Sequence, residues 1–297
     1  MNKYVSNDTL RYIDQLIFDT GNKVVEGIYS GRHKSLLIGK SLEFVQHREY
    51  TPSDDIKLID WKVYARKDRF FIKQYQQETN IVVNIALDCS NSMWYPEKKD
   101  GELTKYEYAS FLVSYLSYIL LNQGDSVGVI KFGSEIKEKL GPSSKNSFYH
   151  DILNFLDREL KEEKTDFSKL FEYIISSVKK KTYLILISDL ISKNEEHITK
   201  MLRQLSTYGI YVYVLHIIAP KERKIDFDYE NCIFEDLENE FLPIKTNLQE
   251  IKEYYRDKFK KLIEYYNKNL NDNNIKYFEI DISLPIITNL KLIMEQK

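Results

Sequence analysis

The chain has 297 residues, of which 43% are hydrophobic and 30% charged, and its 43 Lys and Arg nearly balance 45 Asp and Glu for a formal charge of -2. These values are typical of a globular protein with one large or two ordinary domains, and they exclude a disordered or fibrous chain. The near-neutral balance argues against a protein that mainly neutralises phosphates, and two cysteines, Cys89 and Cys232, are too few for a disulfide framework or a cysteine-rich zinc site.

The first 80 residues have a mixed pattern. Apolar residues at positions 10, 13, 16 and 17 are spaced as on one face of a helix, behind Asn7 and Asp8 as possible caps. Short segments over residues 36–45 and 70–75 are candidate strands. We therefore predict that residues 1–80 form an N-terminal helix and a small β-rich region, and that residues 81–297 form a second domain.

From about residue 80, apolar runs rich in β-branched residues alternate with helical patterns. The predicted strands cover residues 81–87, 126–132, 183–188, 210–218 and 275–280. The predicted helices cover residues 104–122, 146–161, 167–180, 194–207 and 248–270. Continuous apolar strands are buried on both faces, as in a parallel sheet covered by helices. The predicted fold class is therefore α/β, with a mostly parallel, Rossmann-like sheet flanked by helices and right-handed crossovers.

No segment has the pattern of a secretion signal or of a membrane span. The longest apolar stretch, residues 108–121, is interrupted by three serines and is shorter than the roughly 18 apolar residues that a span needs. We expect a reducing, cytoplasmic location, with contact to a membrane only through a partner.

Oxygen-bearing side chains follow the ends of two predicted strands. Asp88, Ser90 and Ser92 come directly after the first strand, Asp189 follows the strand at 183–188, and Thr165 precedes a helix. Ligands of open α/β sheets bind at the carboxyl ends of the strands, where we expect these side chains to meet.

Two carboxylates and three hydroxyls suit Mg²⁺ or Mn²⁺ and leave a coordination position for a carboxylate from outside. The group offers neither a general base nor an activated nucleophile, which indicates binding rather than catalysis. The alternative is that these residues only cap helices or bond loop amides.

The D-x-S-x-S of residues 88–92, followed by Thr165 and Asp189, resembles the metal-ion-dependent adhesion site of von Willebrand factor A domains. The resemblance implies that fold, with Mg²⁺ coordinated by the serines and the threonine directly or through water and by the aspartates mostly through water. It also implies that a partner's acidic side chain fills the sixth position. Two departures stand out: residues 162–164 are Glu-Glu-Lys instead of a glycine-rich lead, and Leu190 stands where a glycine often follows the last aspartate.

The N-terminal half is similar to the domain of unknown function 58 family. The similarity rests on G-R-H-K-S at 31–35, Gly39, Glu43-Phe44, R-E-Y-T-P-S-D-D at 48–55, I-D-W at 59–61 and Ala65-Arg66. It implies association with MoxR-type AAA+ ATPases and with other A-type domain proteins, in systems that assist assembly or activation of other proteins. It implies no established catalytic activity.

Five residues of this signature allow two interpretations: Asp54, Asp55, Asp60, Trp61 and Arg66. They could form a second carboxylate site or a docking surface. The interpretation we favour is an internal Arg–Asp network with the tryptophan as packing anchor. Acidic residues dilute the basic stretch over residues 32–73, so we expect no contact with nucleic acid.

Together these patterns predict a non-enzymatic protein-interaction module that binds a partner's acidic residue through Mg²⁺ or Mn²⁺, as an adaptor for a MoxR-type AAA+ ATPase. A Mg²⁺-dependent phosphoesterase or phosphotransferase is one alternative, and a scaffold with an unused site is another. The enzymatic alternative lacks a phosphate-binding loop, and Ser90 stands where a haloacid-dehalogenase-like enzyme would need a second aspartate. His216, inside a predicted strand, is expected to be a buried core residue.

Overall fold

The computed structural model describes residues 3–20, 42–51, 59–67, 69–77, 81–96, 102–177, 182–192, 194–224, 231–234, 244–271 and 274–295. The chain divides into two compact units. Met1–Arg32 and Ile81–Lys297 form the first unit, which we call the sheet unit, and His33–Asn80 form the second.

The helices and strands alternate over most of the described chain. The helices are α1 Asn7–Thr20, α2 Trp61–Lys67, α3 Lys105–Asn122, α4 Phe148–Asp157, α5 Phe167–Ser177, α6 Glu195–Thr207, α7 Pro220–Lys224, α8 Leu248–Leu270 and α9 Ile286–Glu295. The strands are β1 Leu42–Glu49, β2 Phe71–Gln77, β3 Val82–Asp88, β4 Ser126–Phe132, β5 Ile136–Ser143, β6 Tyr183–Ser188, β7 Tyr211–Ile218, β8 Asn231–Phe234, β9 Ile244–Asn247 and β10 Ile275–Asp281.

The sheet unit is built on a six-stranded sheet with the order β10-β7-β6-β3-β4-β5. All neighbours pair in parallel except β4 and β5, which are antiparallel. If β3, β4, β5, β6, β7 and β10 are numbered 1 to 6 and the sheet is read from the β5 edge, the order is 3-2-1-4-5-6, which is that of a doubly wound sheet. The structure therefore confirms the predicted α/β fold class with a mostly parallel sheet flanked by helices.

Alternate residues of the strands feed two apolar layers, one on each face of the sheet. In β3, Ile85 and Leu87 enter the layer that α3, α4 and α9 cover, whereas Ala86 enters the layer that α5 and α6 cover. Helix α3 is apolar almost all round and nearly every residue in it is buried. Its first turn is closed by a capping box between Thr104 and Glu107. Among the described residues, none of the helices is both long and apolar enough to cross a bilayer.

Helix α1 belongs to the sheet unit. The Tyr4 ring is fully buried in the same apolar layer as α3 and meets Phe111 edge-on at 5.4 Å, and its hydroxyl donates to Glu159 at 2.9 Å. The sequence pattern had grouped this helix with the β-rich region in residues 1–80. The apolar face of a lone helix needs a large surface to cover it, and the sheet unit supplies that surface.

The unit over His33–Asn80 contains β1 and β2, which pair antiparallel with a register shift between Phe44 and Gln46. Helix α2 begins after Asp60, whose Oδ1 accepts the amides of Lys62 and Val63 at 3.0 and 3.4 Å. Asp60 therefore acts as a helix cap.

The role expected for Trp61 as a packing anchor is wrong. This side chain is 58% exposed, and it contacts Tyr64 and Phe70 edge-on at the surface. Arg66 is also exposed, whereas Asp54 and Asp55 lie outside the described residues.

The strands predicted in the second half are all present, and several further elements were not predicted. Strand β5 is one of them: it contains Gly141 and Pro142, which weaken a strand pattern but which an edge strand tolerates. The sequence pattern was also too weak to predict four other elements: helices α2 and α9 and the paired strands β8 and β9. Helix α4 is shorter than the predicted 146–161.

Candidate metal centre

The strand order reverses between β3 and β6. From β3 the chain continues to β4 on one side, and it later returns through β6 to β7 on the other. Asp88 is the last residue of β3, Ser188 is the last of β6, and Asp189 follows it. Both strand ends therefore lie at the switch point, where open α/β sheets bind ligands.

The carboxylate of Asp88 is buried, with 1% of the residue exposed, and is surrounded by hydrogen-bond donors. Its Oδ1 accepts the amide of Ser90 at 2.9 Å and the hydroxyl of Thr165 at 3.0 Å. Its Oδ2 accepts the hydroxyl of Ser188 at 2.6 Å. Thr165, 77 positions away in the chain, thus reaches the Asp88 carboxylate directly.

The two predicted serines lie side by side. After β3 the chain turns into a short 3₁₀ helix, Asn91–Trp94, and the hydroxyl oxygens of Ser90 and Ser92 come within 3.1 Å of each other. Both residues are buried. The turn therefore gathers their hydroxyls beside Asp88 instead of exposing them to solvent.

Backbone bonds hold the Thr165 loop in place despite its unusual sequence. The amide of Glu162 donates to the carbonyl of Cys89 at 2.8 Å, and that of Asp166 donates to the carbonyl of Gly133 at 2.9 Å. A Cβ on Gly133 would lie 2.6 Å from that of Glu162, so only glycine allows this approach. The Glu-Glu-Lys lead therefore does not keep Thr165 away from Asp88.

Asp189 has a partner that the sequence pattern did not reveal. The ammonium of Lys105, the first residue of α3, is fully buried and lies 2.7 Å from Asp189 Oδ2. It also lies 2.5 Å from Oε1 of Glu222 in α7. The other oxygen of Asp189 accepts the amide of Ile191 at 3.3 Å.

The residue after Asp189 is strained. Leu190 has a φ of 53°, in the left-handed region that favours glycine, and its side chain is buried in the apolar layer beneath the sheet tip. The leucine that stands here in place of glycine therefore has a strained backbone, and the packing of its side chain holds it in that conformation.

Burial and like charge shape the electrostatics of the site. The pKa of Asp88 is raised to about 6, first by burial and then by the negative charge of Asp189, although bonds from Ser188 and Ser90 oppose the rise. Burial alone would lower the pKa of Lys105, but the charges of Asp189 and Glu222 outweigh it and the pKa is raised. The two carboxylates therefore repel each other, and Lys105 relieves only the Asp189 side.

Two neighbouring groups serve the core. Cys89 is fully buried, its Sγ lies 3.5 Å from the carbonyl of Leu87, and burial raises the pKa of its thiol, which makes it unreactive. His216 is buried, as expected, and its Nδ1 lies 2.6 Å from the hydroxyl of Tyr277. Burial lowers the pKa of His216 to about 4.

We call Asp88, Ser90, Ser92, Thr165 and Asp189 the strand-tip site. Among the described residues, no three His, Cys, Asp or Glu side chains cluster as metal ligands, so a cation here would need the hydroxyls as well as the two aspartates. Such a set of hard oxygen donors fits Mg²⁺ or Mn²⁺ and does not fit zinc or copper.

Lys105, Ser188 and Glu222 were missed in the sequence. Lysine at the start of an apolar helix, where the helix dipole disfavours a cation, was a signal that could have identified Lys105. Ser188 and Glu222 carried no comparable signal, because their importance depends on distances across the fold.

The family model described as "Protein of unknown function DUF58" matches residues 46–264, well over half of the chain. The chain belongs to this family. No curated protein matches the chain.

Several solved structures are similar to the chain. The conserved hypothetical protein BatB from Bacteroides thetaiotaomicron is 22% identical, with 73% of this chain and 96% of that chain covered and a TM-score of 0.45. An aerotolerance-related membrane protein from Bacteroides fragilis NCTC 9343 is also 22% identical, with 73% and 98% covered and a TM-score of 0.45. The SpRpn10 VWA domain is 10% identical, with 74% and 98% covered and a TM-score of 0.45.

Proposed function

We propose that the chain is a non-enzymatic protein-interaction module that captures a partner's acidic side chain through Mg²⁺ or Mn²⁺ at the strand-tip site. One observation carries this proposal. Asp88 is a buried carboxylate that makes no ion pair within the described part of the chain, and the charge of Asp189 acts on it. A divalent cation would relieve the repulsion that the fold builds into this site.

The ligands proposed for the cation are the hydroxyls of Ser90, Ser92 and Thr165 and the carboxylates of Asp88 and Asp189. Three of these five donors are neutral, so a bound cation keeps an affinity for one more anionic oxygen. When bound, it would supply a coordination position for a carboxylate from another molecule. The group contains no activated nucleophile, which favours binding over catalysis.

For the partner we propose a MoxR-type AAA+ ATPase or another A-type domain protein, as the family resemblance implies, in a system that assists protein assembly or activation. We place this work in the cytoplasm, with any membrane contact made through the partner.

The first experiment is thermal unfolding of the full chain with and without Mg²⁺. A cation that binds only the folded state at a hundred times its Kd stabilises it by about 2.7 kcal/mol. We expect Mg²⁺ to raise the melting temperature of the wild type and to leave that of Asp88→Ala unchanged. Equal shifts in both proteins would reject the site.

Asp281→Ala is a matched control. Asp281 also ends a parallel strand and also has a serine two positions later, and its Oδ1 accepts the amide and the hydroxyl of Ser283 at 2.9 and 2.6 Å. It lies on the edge strand β10, which two strands, β7 and β6, separate from β3. We expect Asp281→Ala to keep the full response to Mg²⁺.

The second experiment tests the partner. Purified MoxR-type ATPase should be retained by the immobilised chain with Mg²⁺, and it should be lost with a chelator or with Ser90→Ala/Ser92→Ala. Retention that ignores both changes would reject metal-mediated capture. Metal-dependent hydrolysis of generic phosphoesters would support the enzymatic alternative instead.

A further inference from the structure

Lys105 occupies a position that two physical effects disfavour. It is the first residue of α3, where the dipole of the helix repels a positive charge, and its side chain is fully buried. A buried ammonium is tolerated only when carboxylates or other acceptors surround it. Asp189 at 2.7 Å and Glu222 at 2.5 Å are those carboxylates.

These contacts place the positively charged ammonium of Lys105 against Asp189, which is one of the proposed metal ligands. Asp189 Oδ2 faces the ammonium, and its Oδ1 already accepts the amide of Ile191. A divalent cation that uses Asp189 must therefore share this carboxylate with Lys105 or displace the ammonium from it. The ammonium keeps a second anchor in Glu222, which lies outside the strand-tip site on α7.

We propose that the ammonium of Lys105 limits the affinity of the strand-tip site for a divalent cation by competing with it for Asp189, and that Glu222 sets how strongly the ammonium competes. This inference rests on the proposed function. Like charges repel the arriving cation from Lys105, whereas Glu222 attracts the ammonium away from Asp189. Weak binding of the bare cation leaves room for an outside carboxylate to complete the site, so that metal and acidic partner bind together.

The test is calorimetric titration of the full chain with Mg²⁺ and Mn²⁺ at pH 8, in the wild type and five variants: Lys105→Met, Glu222→Gln, the double variant of these two, Lys221→Met and Asp88→Ala. Lys105→Met removes the competitor and should tighten binding by about tenfold or more. Glu222→Gln leaves the ammonium with Asp189 as its one carboxylate and should weaken binding by a similar factor. The double variant has the net charge of the wild type, and tighter binding in it would isolate the loss of competition from the change in charge.

Lys221→Met is the matched control. Lys221 lies next to Glu222 on α7, and its Nζ is 3.8 Å from Glu102. Its substitution changes the net charge by the same amount as Lys105→Met, so we expect the affinity to change less than about threefold at moderate salt.

The outcomes separate this inference from the proposed function. If the wild type binds, Asp88→Ala does not, and the Lys105 and Glu222 variants bind as the wild type does, Lys105 is purely structural and the inference alone is overturned. A double variant with wild-type affinity would also overturn competition. If no protein binds the cations, or Asp88→Ala binds as well as the wild type, the proposed function fails and the inference fails with it. Should Lys105→Met not fold, the weaker binding of Glu222→Gln decides.

Discussion

The hydroxyl of Ser188, at the end of β6, donates to Oδ2 of Asp88, at the end of β3, over 2.6 Å. The hydroxyl oxygen of Ser188 in turn accepts a hydrogen bond from the amide of Leu190 at 2.9 Å. One buried hydroxyl therefore joins the two strand ends at the switch point and supports the strained turn beside Asp189.

Substitution of this serine should destabilise the protein. Ser188→Ala removes a hydrogen bond to a charged group and leaves the amide of Leu190 without that acceptor, so we expect a loss of about 2 to 3 kcal/mol in urea unfolding. Ser192→Ala is the control, because Ser192 accepts the amide of Asn194 at an exposed position. We expect it to cost less than about 1 kcal/mol, and equal losses would contradict the special role of Ser188.

Asp88→Asn should stabilise the metal-free protein at neutral pH. The pKa of Asp88 is raised to about 6 in the folded state, so its contribution to stability is present below about pH 4 and is lost as the pH rises through 6. An amide in its place avoids this loss, which is on the order of 3 kcal/mol at pH 7.5. Unfolding in a chelating buffer should show the difference at pH 7.5 and little of it at pH 4. A variant less stable than the wild type at pH 7.5 would contradict this electrostatic account.

His216 should make the protein sensitive to acid. Its pKa is lowered to about 4 in the folded state from its ordinary value of 6.5, so its contribution to stability is present above pH 6.5 and is lost as the pH falls toward 4. When the pH falls from 6.5 to 5, we expect the free energy of unfolding of the wild type to decrease by about 2 kcal/mol more than that of His216→Asn, as measured by urea unfolding. The difference between the two proteins isolates His216, because Asp88 titrates in both. Parallel pH profiles would show that the imidazole takes up its proton without unfolding.

At position 190, a glycine variant should be more stable than an alanine variant, which is the reverse of the usual order. Both substitutions empty the space that the buried leucine fills, and each should cost on the order of 3 kcal/mol in thermal or urea unfolding. At a φ of 53°, however, glycine is unstrained and alanine is not. We therefore expect Leu190→Gly to be more stable than Leu190→Ala by about 1 kcal/mol. The opposite order would mean that the backbone leaves the left-handed region.

The fold could be predicted from the sequence because its strands are buried on both faces. Runs such as Tyr183–Ser188 are apolar at every position but the last, which is a strong signal for a central parallel strand. Strand β5 lacks this signal because it is an antiparallel edge strand with solvent on much of its surface.

The candidate site could be predicted only as far as local spacing reaches. Asp88, Ser90 and Ser92 lie within one turn of chain, and Thr165 and Asp189 stand at recognisable element boundaries. Lys105 is 84 positions from Asp189 and 117 from Glu222, and no local pattern encodes such distances. The surface position of Trp61 was missed for a similar reason, since a tryptophan beside a helix cap reads equally well as core or surface.

The attachment of the segment just before α1 has a consequence for synthesis on the ribosome. Tyr4 finds its hydrogen-bond partner at Glu159, and the amide of Ser6 donates to the hydroxyl of Tyr115. Tyr4 and Ser6 therefore wait for more than a hundred later residues to be made before they can dock. Meanwhile β1 and β2, whose contacts are far closer in sequence, can already pair. The segment around Tyr4 must stay free of other apolar surfaces until the sheet that receives it has been made.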